Sequence, residues 1–205
     1  MVLLQDKISN FYSAVKERRT YLSISNDPIL PNEELEELIN LSVLHAPSAF
    51  NSQGDRVVLL LGEHHIKLWD ITIDTLGKKL PVDRFAITKE RLNGFKNGYG
   101  TVLFFEDTDV LKDTQEKFPT YKDRVPSWFQ QNSAILQYII WTGLEQAGYG
   151  VSIQHYNPLI DEEVRKQWNI PTNWNLIAQM PFGKPIAPPK KKEYQSLDHR
   201  VKVFK

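Results

Sequence analysis

Apolar residues at three- and four-residue steps mark the start of the chain as a helix: Leu4, Ile8, Phe11, Tyr12 and Val15 share one face, through about Glu17. A second helix is expected after Pro31, with Asn32 as N-cap, Glu33 and Glu34 favourable to the dipole, and an apolar stripe of Leu35, Leu38, Ile39 and Val43 ending near His45. Val57–Leu61 is continuously apolar, the pattern of a strand buried on both faces, and Gly62 stops it. Ile66, Trp69, Ile73, Leu76 and Leu80 then mark a strong helix that Pro81 ends, and a further helix is expected over about Asp83–Asn97.

Gly98-Tyr-Gly100 turns the chain into a second buried strand, Thr101–Phe105. Helix is predicted for Val110–Lys117, followed by a loop around Pro119 and Pro126. The longest helix runs from about Ser127 to Ala147. Ile135, Leu136, Ile139, Ile140, Trp141 and Leu144 cover most of its circumference, which predicts a central, buried element. Gly148 and Gly150 close it, Val151–Gln154 reads as a short strand, Asp161–Trp168 as a helix, and Trp174–Met180 alternates like a strand. Gly183-Lys-Pro-Ile-Ala-Pro-Pro189 is unsuited to helix or ladder, and the three lysines after it should be solvated. Val201–Phe204 alternates again, but a strand this short needs an existing sheet edge. The stretch Pro185–Arg200, at about 3.1 Å per residue if extended, can reach across a neighbouring subunit. The order of elements indicates an α+β sandwich, helices around a mixed central sheet, in one domain over 1–205 with an extended arm from 185 to 205.

Composition narrows the chemistry. The 205 residues hold 25 basic and 25 acidic side chains, so no global field favours nucleic acid or an anionic membrane. The absence of cysteine excludes disulfides, thiolate nucleophiles, cysteine-ligated zinc and iron–sulfur clusters. The N-terminus lacks the apolar core of a signal peptide, and no window approaches the length of a membrane span, so a cytoplasmic protein is expected. Five tryptophans, eight tyrosines and ten phenylalanines suit a packed core or a site that stacks a planar ligand.

Three polar stretches are candidates for function. His45-Ala-Pro-Ser-Ala-Phe-Asn-Ser-Gln53 lies between a helix and a strand; it reads either as a plain connection or as uncharged groups that hydrogen-bond a polar ligand. Glu17-Arg-Arg-Thr20 reads either as a cationic helix end or as a phosphate grip, in which Arg18 offers its bidentate fork and Thr20 a hydroxyl. Gln154-His-Tyr-Asn-Pro158 is either a polar turn or a set of donors at a strand end. Glycine-rich phosphate loops are absent, and Glu63-His64-His65 has too few ligands for a metal and reads as surface polarity at a helix start. Asp198-His199 reads as a surface pair, and spacing supports no Ser/His/Asp triad.

These pieces, in this order, resemble the FMN-dependent nitroreductase family. The resemblance rests on Arg-Arg-Thr after the first helix, Pro-Ser-Ala-Phe-Asn-Ser-Gln after the second, the strand-end Gln-His-Tyr, Gly-Lys-Pro, and a late arginine before a short strand. Tyr-Leu after Arg-Arg-Thr, the run of residues 98 to 107, and Gln-His-Tyr-Asn-Pro resemble the short subgroup of yeast fatty-acid-repression-type and bacterial stress- or copper-induced nitroreductases. The resemblance implies a homodimer in which FMN takes hydride from NADH or NADPH and, in a second half-reaction, reduces a nitroaromatic or quinone-like acceptor. By it Arg18 and Thr20, with Arg19 beside them, match residues near the FMN phosphate and ribityl chain. Pro47, Ser48, Ala49 and Asn51 match a stretch that reaches the flavin from the partner subunit. Gln154, His155 and Tyr156 match the segment near flavin N5. Arg200 matches a C-terminal phosphate-binding arginine, Lys184 is a second candidate for that duty, and Asn93 or Asn97 matches a further flavin contact. The resemblance also implies a C-terminal strand exchanged between subunits. Catalysis is then carried by the flavin rather than by side chains. One departure stands out: Leu22 occupies a position where the family often carries a lysine over flavin N1/O2. It opens an alternative, a flavin-binding stress-response or regulatory protein with little turnover.

Overall fold

In a computed structural model, which describes residues 2–205 and side chains from Asn10 onward, α1 (Val2–Glu17), β1 (Ile24–Ser25) and α2 (Asn32–His45) come first. A single 3-10 turn, Ala49–Asn51, precedes β2 (Asp55–Leu61), α3 (Gly62–Gly77) and α4 (Val82–Lys96). Then follow β3 (Gly100–Asp107), α5 (Thr108–Lys117), α6 (Val125–Gln146), β4 (Gly150–Val151), α7 (Asp161–Trp168) and β5 (Trp174–Pro185). The helices flank one sheet of order β1-β5-β3-β2, with β4 also on β5. Every pairing among the described strands is antiparallel, so the mixed sheet expected from the sequence is corrected. No described helix is long and apolar enough to cross a membrane.

The centre of the sheet follows from side-chain type. Thr101, Val102, Leu103, Phe104 and Phe105 of β3 are all buried, as are Leu176, Ala178, Met180 and Phe182 of β5. Two cores result. One packs α3 and α4 (Leu68, Trp69, Leu76, Leu92, Phe95) on Leu103 and Phe105; the other packs α2 and α6 (Leu35, Ile39, Leu136, Ile140, Leu144) on Val102, Phe104 and Met180. Strand residues alternate between the two faces, so successive positions of β3 serve different cores.

Several expectations shift. β2 is an edge strand, and its apolar run is half-buried except Leu60, not enclosed on both faces. Gly62 does end it, at φ 53°, a left-handed angle that spares any side chain. Pro31, not Asn32, caps α2; Asn32 Oδ1 instead accepts from the Tyr99 hydroxyl (2.6 Å). Pro126 sits in the first turn of α6, where its missing N–H removes no intrahelical bond. Gly183-Lys-Pro185 does continue a ladder. Lys184 pairs with Ser25 and Pro185 with Ile24, and a side chain at Gly183 would collide with the Ser25 carbonyl. Pro185 ends its strand, where a proline is tolerated.

The helix faces are less enclosed than their patterns suggest. On α6, Ile135 and Tyr138 are exposed; on α2, Leu41, Val43 and Leu44; on α1, Phe11 and Tyr12. Leu4 and Ile8, expected on the same α1 face, have side chains outside the described residues. Val201–Phe204 forms no strand within the chain and is exposed.

Candidate functional site

The C-terminal end of α1 delivers Arg18 and Arg19 to the last turns of α6. Trp141 and Glu145 stand four residues apart there, a spacing that puts both on one helix face. The Arg18 guanidinium carbon lies 4.3 Å from the Trp141 ring centroid, a cation–π placement. None of the ion pairs among the described residues includes Arg18. A cation–π contact uses none of the five guanidinium N–H donors as a hydrogen bond to a carboxylate, which leaves them for another acceptor. Glu145 Oε2 accepts the Arg19 backbone N–H (2.7 Å), and Oε1 accepts the Trp141 indole N–H (2.6 Å), which also points at Arg19 O (3.3 Å). Burial pushes the Glu145 carboxyl up to about 7, against those two hydrogen bonds and the neighbouring arginines, which pull it down. Thr20 is exposed beside this junction. Tyr21 N–H then donates to Val151 O (2.9 Å), tying the arginine segment to β4.

β4 leads to Gln154–Tyr156. Gln154 bridges Gln179 by two backbone hydrogen bonds (2.7 and 2.9 Å), and the fully buried Gln179 side chain accepts from Tyr156 N–H (2.7 Å) and donates to Asn157 Oδ1 (3.3 Å). The next peptide, Asn157–Pro158, is cis. His155 is exposed, and Tyr156 packs edge-on against Trp69 at 5.9 Å.

Pro47–Asn51 form the third piece. Phe50, Asn51 and Gln53 all have positive φ (55°, 54° and 51°), an uncommon run for residues with side chains. Specific bonds hold it: Ala49 N–H donates to Asn132 Oδ1 (3.1 Å), Gln53 N–H to Ser48 Oγ (3.0 Å), and Arg56 Nη1 to Gln53 O (2.8 Å). Phe50 stacks on Phe118 at 3.9 Å and meets Trp128 edge-on at 5.6 Å. Pro47, Ser48, Ala49 and Phe50 with Trp128, Gln131, Asn132 and Ile135 line a cavity of about 340 Å³, mixed apolar and amide in character with two aromatic rings.

The structure therefore groups Arg18, Arg19 and Thr20 with Gln154–Tyr156 along β4, and sets Pro47, Ser48, Ala49 and Asn51 apart on the N-terminal half of α6. Lys184 lies 3.7 Å from Asp27, beyond β1. Arg200 lies in the exposed arm, its N–H donating to Leu197 O (2.9 Å). Asn93 and Asn97 are exposed on and after α4. Of the Glu63-His64-His65 run, His65 is not surface polarity but 1% exposed, with Nδ1 2.8 Å from Thr101 Oγ1 and Nε2 3.2 Å from Lys96 O. Sequence reading missed Trp141, Glu145, Asn132 and Gln179. The four-residue Trp–Glu step was the visible signal for the first two, and a buried amide in an otherwise apolar strand was the signal for Gln179.

A carboxylate pair adjoins the loop. Asp55 and Glu106 face each other across β2 and β3, and Asp55 lines a second cavity with Ser48 and Gln53. Burial, then the Glu106 charge, raises Asp55 to about 6, with Arg56 opposing. A carboxyl whose folded pKa exceeds its unfolded value disfavours folding once ionised, so this contribution to stability is lost as pH rises from about 4 through about 6. Asp55→Asn is expected to raise unfolding stability at pH 8 by about 2 kcal/mol at most, with the gain gone by pH 4. Urea titrations at the two pH values check this.

A model of the nitroreductase family matches residues 15–184. The Saccharomyces cerevisiae nitroreductase FRM2 is 28% identical over 200 residues, 95% of this chain and 97% of that one, and HBN1 of the same yeast is 31% identical over 201 residues, 96% and 98%. The nitroreductase CinD from Lactococcus lactis, in a complex with chloramphenicol, superposes with a TM-score of 0.87 at 39% identity over 95% of this chain and all of that one; its 4-nitrophenol complex gives 0.86. Matched nearly end to end in both sequence and fold, the chain belongs to the nitroreductase family.

Proposed function

We propose that the protein is a cytoplasmic homodimeric FMN-dependent oxidoreductase that takes hydride from NADH or NADPH and passes it to nitroaromatic or quinone-like acceptors. Membership of the family supports the oxidoreductase class. The observation that carries the cofactor is Arg18, held over the Trp141 ring and in none of the ion pairs among the described residues. Such a fork suits a phosphate of charge near −2. In this reading Arg18, Arg19 and Thr20 hold the phosphate and ribityl chain, with Arg200 and Lys184 as further cations, while Gln154, His155 and Tyr156 line the ring. The bound flavin supplies the two hydride transfers; the chain supplies binding, orientation and exclusion of water.

The geometry of α6 supports a site shared between two copies. Asn132, which holds the Pro47–Asn51 loop, and Trp141, which holds Arg18, are nine residues apart. At 3.6 residues per turn they face opposite sides, separated by roughly 13 Å along the axis. One copy's loop therefore serves the flavin gripped by the other's Arg18. The exposed Leu41, Leu44, Ile135 and Tyr138 suit burial in such a dimer. The cavity at Phe50, with its two aromatic rings, suits a flat acceptor, and the CinD complexes with chloramphenicol and 4-nitrophenol support that class.

Purified protein is expected to be yellow, with flavin absorption bands, and to oxidise NADH or NADPH when an acceptor is added. Colourless protein that also fails to take up FMN overturns the reading. Leu22, 42% exposed, presents hydrocarbon where a cation would favour reduced flavin, and this supports a second reading, a flavin-binding stress-response protein with little turnover. Anaerobic stopped-flow reduction by NADH and NADPH decides: a rate of ~1 per second or faster excludes the second.

A further inference from the structure

We propose that Glu145 is a positioning residue for phosphate recognition, a clamp that fixes the Trp141 platform and the Arg19 backbone so that Arg18 meets the FMN phosphate with its donors preset. The proposal rests on the flavin reading above and assigns a role to a residue that itself touches no ligand. Both carboxylate oxygens are committed, Oε1 to the Trp141 indole N–H (2.6 Å) and Oε2 to the Arg19 N–H (2.7 Å). The Trp141 bond lies within α6, and the Arg19 bond joins that helix to a segment 126 positions away in sequence, so one carboxylate couples the platform to the arginine segment. The indole N–H bond fixes ring rotation. Ring rotation sets where the π face lies, and the Arg18 guanidinium carbon sits 4.3 Å from that ring's centroid, so fixing the ring restricts where the guanidinium can be placed.

Glu145 makes no ion pair with Arg18 within 4 Å among the described residues; its oxygens accept from uncharged N–H groups, and the Arg18 charge acts on it only at longer range. The carboxylate thus holds the arginine's support without competing with an incoming anion for its donors. Burial, which raises the Glu145 carboxyl to about 7, further reduces its negative charge at neutral pH.

The clamp and simple electrostatics predict opposite signs. Removing a carboxylate near a phosphate site should tighten anion binding by charge alone; removing a clamp should loosen it. Riboflavin, which has the same ring and ribityl chain but no phosphate, separates phosphate positioning from general damage. Full-length protein freed of flavin is titrated with FMN and with riboflavin by flavin fluorescence. For Glu145→Ala the FMN dissociation constant is expected to rise about tenfold or more while that for riboflavin stays within about twofold. Glu145→Gln, which keeps size and one acceptor oxygen, is expected to fall between, and it decides the matter if the alanine variant does not fold. Parallel loss of both ligands in Glu145→Gln, or FMN binding unchanged or tighter there, overturns the clamp. Wild-type protein that binds neither flavin overturns the flavin reading, and the clamp with it.

Discussion

Truncation after Pro189 is expected to yield a folded but monomeric protein that no longer retains FMN. Residues 190–205 are exposed throughout, and Tyr194, Leu197, Val201, Val203 and Phe204 leave 77, 64, 56, 70 and 91% of their surface uncovered. Within one chain the arm therefore contributes almost no burial, and its removal leaves both cores intact. Five large apolar side chains in so short a segment are nonetheless too many for a solvated tail. Docked as a strand on a second copy, the arm would bury them and carry Arg200 toward the phosphate. The expected readouts are a mass near that of one 23.8 kDa chain by light scattering, unchanged far-ultraviolet circular dichroism, and at least ~100-fold weaker FMN binding. Arg200→Ala in the full chain separates the two contributions: it should stay dimeric and lose only part of the affinity. Truncated protein that stays yellow eliminates the shared site.

Where local pattern and tertiary context agree, the chain could be read directly. α7 begins and ends at Asp161 and Trp168 as periodicity predicts, because a three-acid first turn and an abrupt left-handed Asn169 bracket it. β3 contains the expected apolar run because it is central and both of its faces carry a helix layer. The misreadings share a cause: non-local pairing decides what local composition leaves open. β1 is only Ile24–Ser25 and exists through its partners Lys184 and Pro185, whose own sequence looks like a loop. The apolar run of β2 resembles a doubly covered strand, yet it lies at an edge beside half-open cavities. The excess apolar surface of α1, α2 and α6 has no cover within one chain, so a pattern that looks like core is exposed. The same holds at the site. Arg18 is visible as an arginine after a helix, but the Trp141 ring beneath it lies on α6, far along the chain, and only the four-residue Trp–Glu step points to Glu145, which binds the Arg19 N–H.

The second large effect is expected at Trp69. Its ring is fully buried and packs against Phe95 at 5.1 Å and Tyr156 at 5.9 Å. Its indole N–H donates to Thr101 Oγ1 (3.1 Å), and that hydroxyl also lies 2.8 Å from His65 Nδ1. Lys96 O can only accept, so His65 Nε2 carries the proton and Nδ1 accepts from Thr101. The result is a buried chain of neutral donors, indole to hydroxyl to imidazole to carbonyl. Burial lowers His65 to about 4, below its unfolded value of 6.5, so this contribution is complete above pH 6.5 and is lost as pH falls toward 4. Trp69→Ala removes the largest of these buried side chains and leaves a cavity; it is expected to cost about 3–5 kcal/mol in urea unfolding at pH 7. Trp69→Phe keeps most of the packing but leaves Thr101 without its donor, which is expected to cost about 1–2 kcal/mol. The alanine variant should also admit water to His65 and move its titration, followed by imidazole NMR, back toward 6.5. Because Tyr156 loses its edge contact, the Gln154–Tyr156 segment should loosen, with weaker flavin retention even where the variant is folded. A loss of less than about 1 kcal/mol in Trp69→Ala would show that the α3–α4 layer repacks freely, and that the strand-end segment is held by Gln179 alone.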